Sequence, residues 1–288
     1  MFANYFKTIL LLGILSSLFV LAGTALAGSN GLIIALSIAL IMNGIAYFFS
    51  ERIVLGIYKA KKLDAHEYPY VYQIVEELRV TMRLPMPKLW IIHTDMPNAF
   101  ATGRSPAHAS IAVTTGILEI LDADELRGVL AHELAHIKNR DILIGTIAAT
   151  LAAAIAHIGS MARYAAIWGS SSDNKKKGNP LAMLIVAIFV PLAATLMQLA
   201  ISRSREYGAD ETGAYSCHDP LALASALEKL HQHIPRAHLN PEKAGHASTA
   251  SLFIMHPFST QTMLSLFATH PPVHKRIERL RKIHQKIF

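Results

Sequence analysis

Long apolar segments alternate with polar sequence along the chain. Residues 8–27 and 31–50 carry no charged side chain, and only Gly28, Ser29 and Asn30 separate them. At about 1.5 Å per helical residue, each segment reaches roughly 30 Å, the thickness of a bilayer core. The pattern predicts a tight transmembrane helical hairpin over residues 1–50. A cleaved signal peptide ending at Ala25-Leu26-Ala27 is the alternative for the first segment, although its apolar run is longer than such peptides need.

Two further apolar runs, residues 142–162 and 181–201, predict a second transmembrane or membrane-associated hairpin over 142–201. The turn inside the first hairpin is uncharged, whereas four basic residues follow the hairpin: Arg52, Lys59, Lys61 and Lys62. The positive-inside rule therefore places the N-terminus and the sequence after residue 50 in the cytoplasm. Lys175, Lys176 and Lys177 disagree, because this topology places their loop outside. Either three lysines are tolerated there, or the second pair of segments does not cross.

The remaining sequence predicts one small soluble domain in two parts, residues 51–141 and 202–288. Helical spacing predicts a helix over 68–83, and alternating segments predict strands at 89–93, 98–103 and 111–115. Asp122 and Glu125 form a capping pattern that opens another helix. Three more helices are predicted at 203–217, 220–233 and 272–287. We therefore expect an α+β, mainly helical fold: a polytopic membrane protein with two hairpins and a small antiparallel sheet.

Composition agrees with membrane insertion, since 52% of the 288 residues are hydrophobic and only 16% are charged. The net charge of +7 could indicate nucleic acid. However, the basic residues lie beside apolar segments or in the last helix, and no nucleic-acid-reading motif accompanies them. Lipid headgroups are the better partner for this charge, and no nucleic acid is expected.

Candidate chemistry is concentrated in the helix that Asp122 opens. His132 and His136 lie one helical turn apart, so both imidazoles can bind one zinc ion. Glu133 can reach the attacking water without being a ligand and can accept its proton. Because HExxH also occurs by chance, a helix with polar residues on its exposed face is the alternative. The cap and the apolar opposite face favour the metal site.

Zinc in such a site needs a third protein ligand and leaves one position open for water. Glu206 lies on the same side of the membrane as the two histidines if both intervening apolar segments cross it, or if neither does. Asp210, one turn after Glu206, can hold the other N–H of a histidine. Two solvated acids beside Arg203 and Arg205 are the alternative reading of this pair.

Four segments together resemble the HtpX heat-shock membrane proteases, which are relatives of the CAAX-prenyl endopeptidases in the gluzincin group. The segments are AHELAHIKNRD (131–141), SREYGAD (204–210), MPNAFATG (96–103) and THPPVHKRI (269–277). The resemblance covers essentially the whole chain and implies a zincin-like metalloprotease domain with one zinc ion. It assigns His132, His136 and Glu206 as ligands, Glu133 as the general base and Asp210 as the acid that orients a histidine.

The same resemblance implies residues that contact the substrate. Asn98, Ala99, Phe100 and Ala101 match an edge strand on which an extended peptide pairs through its main chain. His270 and Arg276 match residues near the zinc ion in the prenyl-peptidase relatives, where they could hold a substrate carbonyl or the oxyanion. An ordinary hairpin strand is the alternative for the first group. A helix start with a solvent-facing arginine is the alternative for the second.

The implied function is quality control in the cytoplasmic (inner) membrane under stress regulation. A multi-pass zinc endopeptidase, its catalytic domain facing the cytoplasm, would cleave misfolded or damaged membrane proteins. Expected partners are these substrates and the lipid bilayer, with self-cleavage in residues 236–251 or 170–177. Two alternatives stay open: an enzyme that trims prenylated C-terminal peptides, and a non-enzymatic membrane chaperone or scaffold with a vestigial site.

Overall fold

The structure, a computed structural model, describes residues 2–148, 150–151, 203–233 and 271–287. In these ranges the helices are α1 (Phe2–Ile57), α2 (Pro69–Met82), α3 (Thr115–Ile120), α4 (Ala123–Lys138), α5 (142–148), α6 (Arg203–Cys217), α7 (Pro220–His233) and α8 (Val273–Ile287). The strands are β1 (Lys61–Lys62), β2 (Lys88–Ile92), β3 (Ala99–Ser105) and β4 (His108–Thr114).

The long apolar helix α1 turns back on itself near its middle. Gly28 has φ +59°, a left-handed conformation that glycine adopts without a steric penalty. Asn43 Nδ2 donates a hydrogen bond to Ser16 Oγ at 2.9 Å. A straight helix would separate these residues by about 40 Å. The two halves of α1 therefore pack against each other, and residues Gly28–Ile57 form a helix long and apolar enough to cross a membrane.

The sheet has the order β1-β2-β4-β3, with β3 at one edge. Strands β3 and β4 form an antiparallel hairpin, whereas β2 pairs with β4 in parallel, Leu89 opposite Ile111. The prediction of an antiparallel sheet was thus wrong for this pair. After β2, the chain passes to the outer edge of the sheet and forms β3 there. The tight hairpin then leads into β4, which lies between β2 and β3.

Helix α4 lies at the centre of the main hydrophobic core of the described residues. Its start is fixed by the predicted capping box: Asp122 accepts from the Glu125 N–H, and Glu125 accepts from the Asp122 N–H. Apolar side chains of α4, such as Leu126 and Leu130, are fully buried against α2, α6 and α7. The end of α1 covers the other face of the sheet, where Val54 and Leu55 pack on Phe100.

The described residues confirm a mainly helical fold with a small sheet, and the predicted helices and strands lie within a few residues of their expected bounds. Among them, one helix passes the test for a candidate membrane span. Most of the predicted second hairpin, and the stretches 170–177 and 236–251, lie outside the described residues. The pair of hairpins and the division into domains therefore stay predictions.

Candidate metal centre

Three side chains from two helices converge on one point. His132 and His136 project from one face of α4, with their Nε2 atoms 3.1 Å apart. Glu206, in the first turn of α6, places Oε2 at 3.6 Å from His132 Nε2 and Oε1 at 3.6 Å from His136 Nε2. His132 and Glu206 are buried, and His136 is partly buried. The structure thus places the three predicted ligands together.

Each histidine is oriented by a carboxylate on its far side. Asp210 Oδ1 lies 2.9 Å from His132 Nδ1, as predicted for an orienting acid. Asp141 Oδ2 lies 3.1 Å from His136 Nδ1, a partner that the sequence reasoning missed. The chain reaches it because Arg140 adopts a left-handed φ of 57° directly after α4, which turns Asp141 back towards the helix. An acid five residues after the second histidine was the available signal.

The donor set fits a metal ion. Hydrogen bonds at both Nδ1 atoms fix the tautomers that direct the Nε2 lone pairs towards the carboxylate of Glu206. Separations of 3.1 and 3.6 Å suit ligands that share one ion at about 2.0–2.2 Å. Although burial acts in the opposite direction, Asp141 and Glu206 raise the pKa of His136 to about 10. Negative charge surrounds the histidines, as a cation site requires.

Arg276 reaches the site from α8 and is fully buried. Its Nε and Nη2 donate to the two oxygens of Asp210 at 2.9 and 2.6 Å, while Nη1 lies 3.9 Å from Glu206 Oε2. Against the effect of burial, Arg276 and His132 lower the pKa of Asp210 to about 2. The predicted oxyanion role needs a guanidinium directed at the substrate. This geometry instead favours a positioning role, since Arg276 holds the acid that holds His132.

Glu133 faces the edge strand. Its Oε2 accepts a hydrogen bond from the Ala101 N–H at 2.8 Å, which leaves Oε1 to accept a proton. The side chain is buried, and burial raises the pKa of its carboxyl group, while the two nearby histidines act in the opposite direction. A carboxyl group with a raised pKa holds a proton more readily near neutral pH, as a general base requires.

The predicted substrate strand has one free edge and two covered faces. The N–H of Asn98 and the carbonyl of Asn98 both bond Thr114 on the β4 side. Alternation along β3 then directs the main-chain groups of Ala99 and Ala101 outward. The Phe100 side chain is buried under α1, with its ring centroid 5.5 Å from that of Tyr58. The Ala101 N–H already donates to Glu133, so substrate pairing narrows to the main chain of Ala99 and the carbonyl of Ala101.

The outer edge of β3 is closed beyond Ala101. Thr146 Oγ1 on α5 accepts from the Gly103 N–H at 3.1 Å and lies 3.0 Å from Thr102 Oγ1. Both threonines are fully buried. Helix α5, the start of the third apolar segment, therefore occupies the position that a longer paired peptide would need. His270, the remaining predicted site residue, lies outside the described residues.

The chain is similar to known proteases over most of its length. The sequence profile of peptidase family M48 matches residues 65–284. A protease HtpX homolog of Syntrophobacter fumaroxidans is 50% identical over 281 residues, which is 96% of this chain and 99% of that protein. One from Pyrococcus furiosus is 50% identical over 277 residues, covering 96% and 95% of the two chains.

Among solved structures, the crystal structure of S. mikatae Ste24p matches with a TM-score of 0.51 at 18% sequence identity, which shows a shared fold. The match covers 97% of this chain and 66% of the Ste24p chain.

A helix that carries the HExxH motif, together with a glutamate from a second helix, defines a metalloprotease, a hydrolase of peptide bonds. One of the described helices, Gly28–Ile57, is long and apolar enough to cross a membrane. The chain belongs to peptidase family M48 and, within it, to the HtpX-type proteases.

Proposed function

We propose that this chain is a zinc endopeptidase of the cytoplasmic membrane that cleaves misfolded or damaged membrane proteins. The observation that carries the proposal is the convergence of His132, His136 and Glu206 beside an edge strand that is packed on the end of an apolar helix. Quality control under stress regulation is the physiological role we assign to that activity.

Zinc is the proposed metal, because two histidines and one glutamate with an open position are a typical catalytic zinc set. When bound, zinc would polarise the substrate carbonyl and make a water molecule nucleophilic near neutral pH. His132, His136 and Glu206 would hold it. Asp210 and Asp141 would keep the two imidazoles directed at it, and Arg276 would keep Asp210 in place.

Hydrolysis then depends on Glu133. Its carboxylate accepts the proton of the attacking water while the water oxygen bonds to the carbonyl carbon. The same carboxyl group then delivers that proton to the amide nitrogen as the C–N bond breaks. Ala101 holds Oε2 during this exchange, so that Oε1 stays directed at the water.

Substrate selection follows from the edge strand and its surroundings. A segment that pairs with Ala99 and Ala101 must be extended and must have free main-chain groups, which folded proteins rarely offer. Loops and frayed ends of damaged membrane proteins meet both conditions. The Val54–Leu55 end of α1 packs directly on Phe100 of this strand, so the site is close to the headgroups if α1 crosses the bilayer.

The proposed topology has the soluble domain and the N-terminus in the cytoplasm. Arg52, Lys59, Lys61 and Lys62 support this orientation. Labelling of single cysteines from outside, in a Cys217→Ser background, tests it. Cysteines at Lys61 and Glu242 should be protected. A cysteine at Ser171 should react if the second hairpin spans, and protection there would keep both of its segments on the inner side. Reaction at Lys61 would overturn the orientation.

One experiment separates membrane-protein cleavage from general peptidase activity. The same unstructured segment is placed in a membrane protein next to the headgroups, or in a soluble fusion, and both are offered to zinc-loaded protein in vesicles. The proposal predicts faster cleavage of the membrane-tethered segment. Equal rates would contradict a preference for membrane-protein substrates. Cleavage that requires a prenyl group would favour the prenyl-peptide alternative. No cleavage of either substrate would contradict the peptidase activity itself.

Self-cleavage belongs to the same proposal. The polar stretches 236–251 and 170–177 are candidate sites, since an extended backbone is needed to pair with β3. Chelation during extraction should protect the chain. Fragmentation that continues in chelator, and equally in Glu133→Gln, would identify a contaminating protease.

A further inference from the structure

Aromatic side chains are exposed where the uncharged apolar segment 31–50 of α1 ends. Tyr47, Phe48 and Phe49 retain 39%, 59% and 47% of their surface. Arg52 follows one turn later, with its guanidinium carbon 6.0 Å from the centroid of the Phe49 ring. Aromatic residues followed by basic ones are typical of the boundary between the hydrocarbon core and the headgroups. The end of α1 therefore has the chemistry of an interfacial segment.

A bulge in the edge strand brings a second arginine to the same place. Gly103 pairs with Ala109 and Ser105 with His108, so Arg104 has no partner across the hairpin. Gly103 has φ +133°, and a Cβ there would lie 2.1 Å from the carbonyl oxygen of His108. Only glycine fits that backbone. Bulges of this kind re-aim a side chain, and here the Arg104 guanidinium carbon lies 5.4 Å from the Phe48 ring centroid.

The two arginines contact adjacent rings of α1: Arg104 lies over Phe48, and Arg52 lies over Phe49. Arg52 follows these residues by four and three positions, so its Cα lies on the same side of the helix as both rings. Stacking on a ring holds a guanidinium while leaving its N–H donors at the edge available. Two such groups beside an exposed apolar helix form a site suited to a phosphate group.

The local charge balance is positive. Glu51, the acid next to Arg52, already accepts hydrogen bonds from Ser110 Oγ at 2.7 Å and from Lys88 Nζ at 3.2 Å. Within the ranges that the structure describes, no carboxylate oxygen lies within 4.0 Å of the Arg52 or Arg104 guanidinium. An anion from outside the chain would therefore meet two charges that the described residues leave uncompensated.

We propose that Arg52 and Arg104 bind the phosphate of an anionic phospholipid at the bilayer surface and so attach the substrate-pairing strand β3 to the membrane. The occupant is a lipid because the site continues directly into exposed apolar residues of α1, including Ile41 and Ile45. The proposal rests on the proposed function only in that α1 must lie in the bilayer. Arg104 is three residues from Ala101, so lipid binding also steadies the strand that holds Glu133.

Lipid binding is measured on full-length protein carrying Glu133→Gln, which removes self-cleavage and makes the result independent of proteolysis. Native mass spectrometry in detergent counts bound phosphatidylglycerol and phosphatidylcholine. Each arginine near an anionic surface contributes about fivefold in affinity, so Arg52→Gln/Arg104→Gln should bind phosphatidylglycerol about 30-fold more weakly. Binding of phosphatidylcholine should not change. Arg83→Gln, an exposed arginine after α2, is the control with the same type of charge change and should match the parent protein.

Three outcomes would overturn the proposal: equal phosphatidylglycerol affinity in the parent and double variant, an equal loss in Arg83→Gln, or full competition by millimolar inorganic phosphate. Arg52→Gln alone, on the exposed helix surface, is the second variant should the double variant fold poorly, and a fivefold loss is expected.

In nanodiscs, phosphatidylglycerol added to phosphatidylcholine should raise the peptidase rate of protein with Glu133 intact, but not that of the double variant. A protein that binds the lipid but cleaves nothing would leave this site standing and contradict the peptidase function instead.

Discussion

The Ala101 amide donates a hydrogen bond to Glu133 Oε2 at 2.8 Å, which joins the edge strand to the carboxylate beside the proposed metal ligands. Thirty-two residues separate the two partners. Because β3 is held on its inner side by β4 and on one face by α1, the donor is fixed in space. A carboxylate fixed in this way needs little reorganisation when it accepts a proton.

Two proline variants separate that role from substrate pairing. Ala101→Pro removes the donor to Glu133, so kcat should fall by about tenfold or more, a part of the 10²–10⁴-fold that a general base contributes. Ala99→Pro removes an outward N–H that the peptide would use, so KM should rise while kcat changes little. Proline is tolerated at a sheet edge when its N–H is outside the ladder. Steady-state kinetics on a soluble peptide, with zinc content as the folding control, measures both. Identical effects in the two variants would contradict the division of roles.

Removing one partner of the buried Arg276–Asp210 pair should be strongly destabilising. Arg276→Met leaves the Asp210 carboxylate buried without its main cation, which should cost roughly 3–5 kcal/mol. Adding Asp210→Asn should recover much of that loss, because the uncompensated charge is gone. Denaturant unfolding in detergent gives the free energies. If the losses in the free energy of unfolding from Arg276→Met and Asp210→Asn simply added in the double variant, the ion pair would not be the reason for the burial of Arg276. Asp210→Ala should in addition weaken zinc binding by about 10–100-fold.

Metal affinity should depend on pH through Asp141. With His136 at a pKa of about 10, the imidazole carries a proton at neutral pH, and metal binding must displace it. Affinity for zinc should therefore rise about tenfold per pH unit for this proton between about pH 6 and 8. Asp141→Asn should lower the pKa of His136, because Asp141 is the main group that raises it, so the dependence of zinc affinity on pH should become shallower near neutral pH. Competition with a chromophoric chelator measures the slope. Equal slopes in the two proteins would show that Asp141 does not control His136.

Alanine substitutions at two glycines of α6 should have opposite effects on the protein. A Cβ on Gly213 would lie 3.0 Å from His132 N and 3.1 Å from the carbonyl carbon of Ala131, both main-chain atoms of α4. Gly213→Ala should push α6 away from α4 and weaken zinc binding. Gly208 has no described atom within 4 Å of such a Cβ, so Gly208→Ala should stabilise the helix by up to about 1 kcal/mol. Zinc affinity and thermal stability of the two variants give the answer. Weakened zinc binding in Gly208→Ala alone would contradict the packing argument.

Local patterns were sufficient to predict much of this fold. The capping box at Asp122 and Glu125 was readable because both bonds lie within four residues. The bounds of α6 and α7 follow the predicted 203–217 and 220–233 because Pro220 separates them. The parallel pairing of β2 with β4 was missed, since strand order depends on long-range packing and the sequence displays only the tight hairpin between β3 and β4.

The same distinction between local sequence patterns and long-range packing applies to the site. The spacing of His132 and His136 and the pairing of Glu206 with Asp210 express helical periodicity, which can be read without coordinates. The Asp141 partner depends on the left-handed turn at Arg140, a non-glycine residue whose φ has no sequence signal. The position of Arg276 against Asp210 required the packing of α8, 66 residues away along the chain.

The most direct test of the central claim is a comparison of zinc content and peptide cleavage in Glu133→Gln and the unmutated protein, both purified with metal-free buffers and loaded with one equivalent of zinc. Glutamine keeps the shape of the side chain and can accept from the Ala101 N–H, but it cannot take the proton of water. The account predicts full zinc occupancy in both proteins, with cleavage reduced by 10²–10⁴-fold in Glu133→Gln. Cleavage within about tenfold of the unmutated rate, at equal zinc content, would contradict the assignment of Glu133 as the general base.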